Sequence, residues 1–237
     1  GGPAHHRRAA APFLAAVFLN PMATRRRFSN ISDLPVVIPV FPLTGVLMFP
    51  RTRLPLNIFE PRYLAMVDAS RLIGMIQPKK PGEDAAQKPV LCDTGCAGRI
   101  VEYSETEDGR YVITLAGIAR FRVAGEREVT TPFRQIAADY TAYATDMASP
   151  GDEPIPRERL RAALKPYLKE REMKSDWRSI EEAPGETLVN ALAMICPFEP
   201  RDKQALLEAP DLKHRAEVLI ALLEIANASL LDEGTAA

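Results

Sequence analysis

Cysteine and histidine are scarce in this chain, and each scarcity closes a class of function. Cys92, Cys96 and Cys196 are the only cysteines in 237 residues. They are too few for a disulfide framework, which fits a reducing, cytoplasmic setting better than secretion. Cys92 and Cys96 have the spacing of half a metal site, but no second cysteine pair exists and His214 is the only histidine beyond His6. No metal and no cofactor are therefore expected. A Ser-His-Asp triad would have to use His5, His6 or His214, none in a promising context. The chain contains neither a G-x-x-x-x-G-K-[ST] phosphate loop nor a G-x-S-x-G nucleophile elbow. Serine and lysine are plentiful, so a Ser–Lys dyad stays open from sequence.

Long apolar runs are also missing. Pro12 to Leu19 (PFLAAVFL) follows Arg7-Arg8 like the core of a short signal peptide. It is far too short to span a bilayer, and Asn20-Pro21-Met22 follows where a small-x-small cleavage site would be. Met22 reads as the natural start and 1–30 as a disordered N-terminal extension. No membrane association is expected. Negative charge is not missing: residues 1–27 hold five arginines and no acid, leaving 25 basic against 31 acidic residues in the remainder. That acidic body argues against nucleic acid as a partner.

What is present is a soluble globular composition, 46% hydrophobic and 26% charged. Val36 to Phe41 is β-branched and aromatic, as strands prefer. Pro35, Pro39 and Pro42 cannot donate to a ladder, which places this strand at an edge or rim. Leu43–Phe49 is a second apolar segment and Leu54–Phe59 a third. Pro61 suits the first turn of a helix carrying Tyr63, Leu64 and Val67. A strand follows at Arg71–Gln77, then a Pro-rich loop at 78–89. Asp108-Gly109 between Gly95–Ser104 and Tyr111–Leu115 signals a hairpin. Ile118–Val123 alternates like a half-buried strand, and Phe133–Tyr143 reads as an outer one. Many short strands at this spacing suggest a closed or partly closed barrel.

The pattern changes at Ser149–Pro154. Leu160, Leu164, Tyr167 and Leu168 form one helix face, with Pro166 expected to kink it. Leu188, Leu192 and Ile195 form another. Pro200–Ala209 is a short helix, and Asp211 caps a last one carrying Leu212, Ala216, Leu219, Leu223 and Leu230. The fold class is α+β: a β-rich part at 31–148 and a helical bundle at 149–237, packed on it.

Several residues invite a functional reading beside a plain one. Glu60, Arg62 and Tyr63 either fix a helix start as an ion pair and a packed ring or line a groove for extended peptide. Arg99 and Arg120 alternate with apolar residues and read as outward and solvated, unless one faces a cleft. Trp177, in a polar linker, is an exposed anchor or a packed ring. Asn190 needs partners if buried, in the barrel backbone or in a ligand. Met48, Met66, Met75 and Met194 read as core.

Ile38–Val67 (IPVFPLTGVLMFPRTRLPLNIFEPRYLAMV) resembles the opening of the N-terminal, substrate-binding domain of Lon proteases. Gly95–Ile100 is similar to that family's glycine-bracketed strand, Gly117–Val123 to its G-x-x-R-F-x-V strand, and Asp202–Glu208 to its K-Q-x-L-L-E helix. The resemblance covers about 35–230. It implies a PUA-like β-barrel followed by a helical bundle, here as a stand-alone module. It also implies non-catalytic binding of unfolded or extended polypeptide, as a recognition or adaptor module with a protease or chaperone as further partner. Alternatives are RNA binding, as in other PUA-like barrels, and a small-molecule or hydrolase site at the barrel–bundle junction. The peptide-binding candidates are Asn57, Phe59, Glu60, Arg62, Tyr63, Arg120, Trp177 and Asn190, expected near that junction.

Overall fold

The computed structural model describes residues 28–81, 88–149, 154–173 and 176–235. The signal-like run, Met22 and the centre of the Pro-rich loop lie outside these residues, as does most of the expected boundary at Ser149–Pro154. Phe28 to Asn30, read as extension, belong to the fold. Phe28 packs against the core, and Asn30 caps a short 3-10 turn at Ile31–Asp33.

Contacts divide the chain into two compact units. One is drawn from Pro21–Ser149 with Glu199–Leu207, the other from Pro150–Phe198 with Glu208–Ala237. The first holds the six strands of the described residues: β1 (Val37–Pro42), β2 (Arg53–Ile58), β3 (Leu72–Pro78), β4 (Leu91–Glu105), β5 (Tyr111–Arg127) and β6 (Gln135–Asp139). The sheet order is β2-β5-β4-β3-β1-β6, and β6 also pairs with β5. Five strands thus close into a ring, and β2 hangs outside it on the first half of β5. The expected separate strand at Ile118–Val123 is the second half of β5, long enough to serve both β2 and β6. The expected outer strand at Phe133–Tyr143 is β6, the strand that closes the ring.

β1 is not at an edge, contrary to the reading of its prolines. It runs parallel to β3 through Val40–Pro42 and antiparallel to β6 through Val37–Pro39. The bonds explain the tolerance. Ala138 N–H donates to the Val36 carbonyl (2.7 Å) and Val40 N–H to that of Arg134 (3.0 Å), so even-numbered residues of β1 face β6. Pro39 therefore turns its nitrogen toward β3, just before that pairing begins. Pro42 turns its nitrogen toward the β6 side, past the last residue in register there. Each proline lacks a donor where none is needed.

Phe121, Ile38, Val40 and Ile136 are fully buried and fill the ring with Leu72, Ile76, Ala97 and Ala119. Gly117 allows β5 to pass the preceding loop, because a Cβ there would stand 1.9 Å from the Phe49 carbonyl oxygen. Gly109, at φ 77°, makes the β4–β5 turn, as Asp-Gly predicts. Helix α1 (Pro61–Ala69) has proline in its first turn and buries Tyr63, Met66 and Val67.

After β6, helices follow: α2 (Arg157–Glu170), α3 (Trp177–Glu182), α4 (Gly185–Ile195), α5 (Pro200–Glu208) and α6 (Leu212–Thr235). In the helical unit α2 buries Leu160, Leu164, Tyr167 and Leu168, and its assigned helix runs on through Pro166. Buried Ala216, Leu219, Ile220 and Leu223 lie on α6, against which α2 and α4 pack. Leu230, expected on that face, lies outside the described side chains. Asp211 accepts from His214 N–H (2.8 Å), as a cap should.

Helix α5 groups with the strands. Lys203 Nζ donates to the Gly45 carbonyl (2.9 Å), and Gln204 Nε2 donates to that of Thr94 (3.1 Å). Gln77, 2% exposed, donates to Pro200 O and Gln204 Oε1 while accepting from Gly45 N–H. The K-Q-x-L-L-E motif is thus a polar clasp with two buried leucines, Leu206 and Leu207.

Candidate functional site

Five of the sequence-predicted residues meet at the corner where β2 runs into α1. Asn57 is exposed on β2, and Phe59 stands 63% exposed just beyond it. Arg62 donates through Nε to Glu60 Oε2 (2.9 Å) and lies over the Tyr63 ring at 4.6 Å. Tyr63 is buried against Phe41, ring centroids 4.1 Å apart. Glu60, Arg62 and Tyr63 thus form an ion pair and a packed ring at the helix start. Phe59 is left outside this packing.

The backbone of β2 is the second component. Gly117 N–H donates to the Thr52 carbonyl (2.9 Å). At the far end of β5, Thr106 N–H donates to the Arg110 carbonyl (2.9 Å), which turns the backbone of Tyr111 away from β4. With the β2–β5 register, Arg53↔Ala116 to Ile58↔Tyr111, these bonds assign Leu54, Leu56 and Ile58 to the ladder. The backbone groups of Arg53, Pro55 and Asn57 point to the other side, where no described strand lies. Pro55 falls where its missing N–H costs the fold nothing. Leu54 and Ile58 are buried, and Pro55 and Asn57 are exposed.

The neighbourhood is apolar with one polar cross-brace. Tyr103 (45% exposed) meets Tyr111 edge-on at 5.0 Å, and Val112 is 42% exposed. The neighbouring Tyr103, partial desolvation and the Asp68 carboxylate, to which Tyr111 donates at 3.4 Å, push the Tyr111 phenol up to about 12. On the solvent face Glu102 accepts from Thr114 and from Arg53, each at 2.6 Å. The Thr114 hydroxyl, then Arg53, hold the Glu102 carboxyl below its usual range. A small cleft beside α1 is lined by Arg62, Tyr63, Phe133 and Arg134. Arg134 is clamped by both Glu126 oxygens (2.8 and 2.9 Å), so its guanidinium, like that of Arg62, already has a carboxylate.

The other three candidates lie elsewhere. Arg120 is not outward: it is 2% exposed and makes a two-pronged pair with Asp146 (2.8 and 2.9 Å). It also donates to Leu207 O (3.0 Å) and stacks on Tyr143 at 4.2 Å. An alternating pattern on β5 hides this, because the solvent side there is covered by the 3-10 segment Thr141–Met147 and by α5. Asn190, 1% exposed, accepts from Arg215 Nη1 at 2.8 Å inside the helical unit. Its partner is thus a side chain of that unit, where barrel backbone was expected. Trp177 is half-buried and opens α3, capped by Asp176, so the expected polar linker is helical from Trp177 on. Among the described residues no three His, Cys, Asp or Glu side chains group to hold a metal ion, and no helix is long and apolar enough to cross a membrane.

A family model for the substrate-binding domain of the ATP-dependent protease La (LON) matches residues 37–224. The chain belongs to this family. Relatives of the LON substrate-binding domain include "Lon protease 2" of Myxococcus xanthus, 28% identical over 82% of this chain and 24% of that protein. "Lon protease" of Syntrophus aciditrophicus is 26% identical over 82% of this chain and 26% of that protein. The chain thus spans about a quarter of the length of the relatives it matches. A Lon N-terminal domain protein from Xanthomonas campestris superposes with a TM-score of 0.55, 24% identity, 79% of this chain and 98% of that one. The N-terminal domain of a Mycobacterium avium complex Lon protease gives 0.56 at 16% identity, over 79% and 97%. These two share the fold.

Proposed function

We propose that this LON substrate-binding domain binds unfolded or extended polypeptide without catalysing a reaction on it, as a recognition or adaptor module. The observation that carries the reading is the β2–α1 corner. It combines an open sheet edge, with the backbone groups of Arg53 and Asn57 pointing outward, and a large aromatic ring, Phe59, that the fold does not use. Main-chain bonding to an edge is tolerant of sequence, and an exposed ring adds area at low entropic cost. Both suit a partner recognised for being unfolded more than for its sequence. The arginines nearest this corner, Arg53 and Arg62, carry carboxylate partners, which leaves little for a nucleic-acid backbone.

The test is binding of a reduced, carboxymethylated unfolded protein to the full chain and to Phe59→Ala. Loss of an aromatic anchor of this kind costs about 1–4 kcal/mol, roughly tenfold to several-hundredfold in affinity. Weakened binding with an unchanged melting temperature supports the reading. Parent and variant that bind alike place the surface elsewhere, and a parent that binds no unfolded chain contradicts the reading altogether.

A further inference from the structure

Pro55 does more at this edge than fit. Arg53 and Asn57 each offer an outward N–H and a carbonyl, whereas Pro55, between them, offers only a carbonyl. Suppose a second copy of the chain paired β2 with β2 about a two-fold axis centred on Pro55. Proline would face proline, and both central bonds would be lost. A partner strand of another sequence loses only one, because its own N–H opposite Pro55 still finds the Pro55 carbonyl. Proline on an exposed edge is a recognised guard against self-pairing. Here it guards while leaving the edge usable.

Side-chain faces follow from the same geometry. Arg53, Pro55 and Asn57 bond outward and also point to the solvent face, beside Glu102 and Thr114. Leu54, Leu56 and Ile58 bond inward and point to the core face. In an antiparallel pair, residues directly opposite each other share a face. A strand added antiparallel to β2 therefore uses for bonding those residues whose side chains meet Arg53 and Asn57. Its intervening residues extend the apolar face of Leu54, Leu56 and Ile58.

We infer that β2 takes up one extended partner segment, antiparallel, with polar residues at the main-chain-bonded positions and apolar residues between them. We infer further that Pro55 excludes a second copy of the chain from that place. This rests on the polypeptide-binding reading above and adds its chemistry: the recognised segment is an alternating, strand-forming stretch, held at three backbone positions.

The experiment uses the capped peptide acetyl-Lys-Thr-Val-Thr-Val-Thr-Val-Lys-amide and two N-methylated versions, one at every threonine and one at every valine. Each is titrated into the full chain beside the carboxymethylated protein. The expected result is that N-methyl threonines abolish binding while N-methyl valines leave it within about threefold, since only the threonine amides face β2. Pro55→Val should bind the parent peptide about fivefold more tightly, the equivalent of one regained net hydrogen bond. The same variant should self-associate at concentrations where the parent does not, read by sedimentation. If the valine set abolishes binding, or both sets are tolerated, or Pro55→Val neither tightens binding nor self-associates, the inference is overturned. A parent peptide that fails to bind overturns it too. The carboxymethylated protein then decides separately whether the broader reading stands.

Discussion

Two proline-punctuated strands, β1 (VIPVFP) and β2 (RLPLNI), look alike in sequence and end in opposite places. β1 lies inside the closed ring, paired on both sides; β2 hangs on one neighbour and leaves its other side open. In both, the proline nitrogen faces a side with no partner. For β1 that vacancy is local, where one pairing has ended and the other has not begun. For β2 it runs the whole length of the strand. A proline thus reports a missing ladder bond at its own position and says nothing about the rest of the strand. The closed side of the molecule is where stability should reside, and the open side is where binding should.

Breaking the closed side gives the largest expected effect. Asp146→Ala strips buried Arg120 of its carboxylate, and removal of one partner from a buried pair costs about 3–5 kcal/mol. Urea unfolding should show that loss. Gly117→Ala should also damage the fold, because the added carbon meets the Phe49 carbonyl oxygen, a backbone atom that cannot rotate away. A soluble Gly117→Ala protein with the parent's urea midpoint would show that the close approach is not required.

On the open side, Phe59→Ala should leave unfolding within about 0.5 kcal/mol of the parent, as surface changes do. Its effect belongs in binding, at the magnitude given above. A Phe59→Ala protein that unfolds early would move that ring from the open side to the closed one.

The smallest effect concerns Glu102, whose carboxyl is held below its ordinary value near 4.5 by Thr114 and then by Arg53. A group depressed in the folded state contributes stability above its unfolded value and loses it as pH falls through the folded one. Stability should therefore soften slightly as the pH drops below the ordinary carboxylate range, and Glu102→Gln should flatten that part of the profile. The group is exposed, so a shift of a few tenths of a kcal/mol is the expected scale. An identical pH profile in the variant would remove Glu102 from the account.

Much of the fold was legible because local chemistry decided it. Asp108-Gly109 made its hairpin turn, Pro61 opened α1, Asp211 capped α6, and apolar spacing located α2 and α4. The misreadings share a cause, which is that pattern reports a strand or a loop but not what covers it. Arg120 alternates with apolar neighbours like any surface arginine, and only the distant Asp146 and Leu207 make it a buried one. Asn190 signalled a buried amide but not that Arg215 would be its partner. Trp177 stands in a polar stretch that opens a short helix behind the Asp176 cap. Of the candidate site, Asn57 and Phe59 were legible as residues beside a proline-limited strand. The parity that sends the Arg53 and Asn57 backbones outward was not, since it is set by the bonds of Gly117 and Tyr111 on another strand.

The most direct measurement of the central claim is amide hydrogen exchange of the full chain, residue by residue, with and without the carboxymethylated unfolded protein. The account predicts fast exchange at Arg53 and Asn57 in the free protein, against slow exchange at Leu54, Leu56 and Ile58, and selective slowing at Arg53 and Asn57 on binding. Protection confined to other parts of the molecule, with these two amides still exchanging freely in the complex, would contradict it.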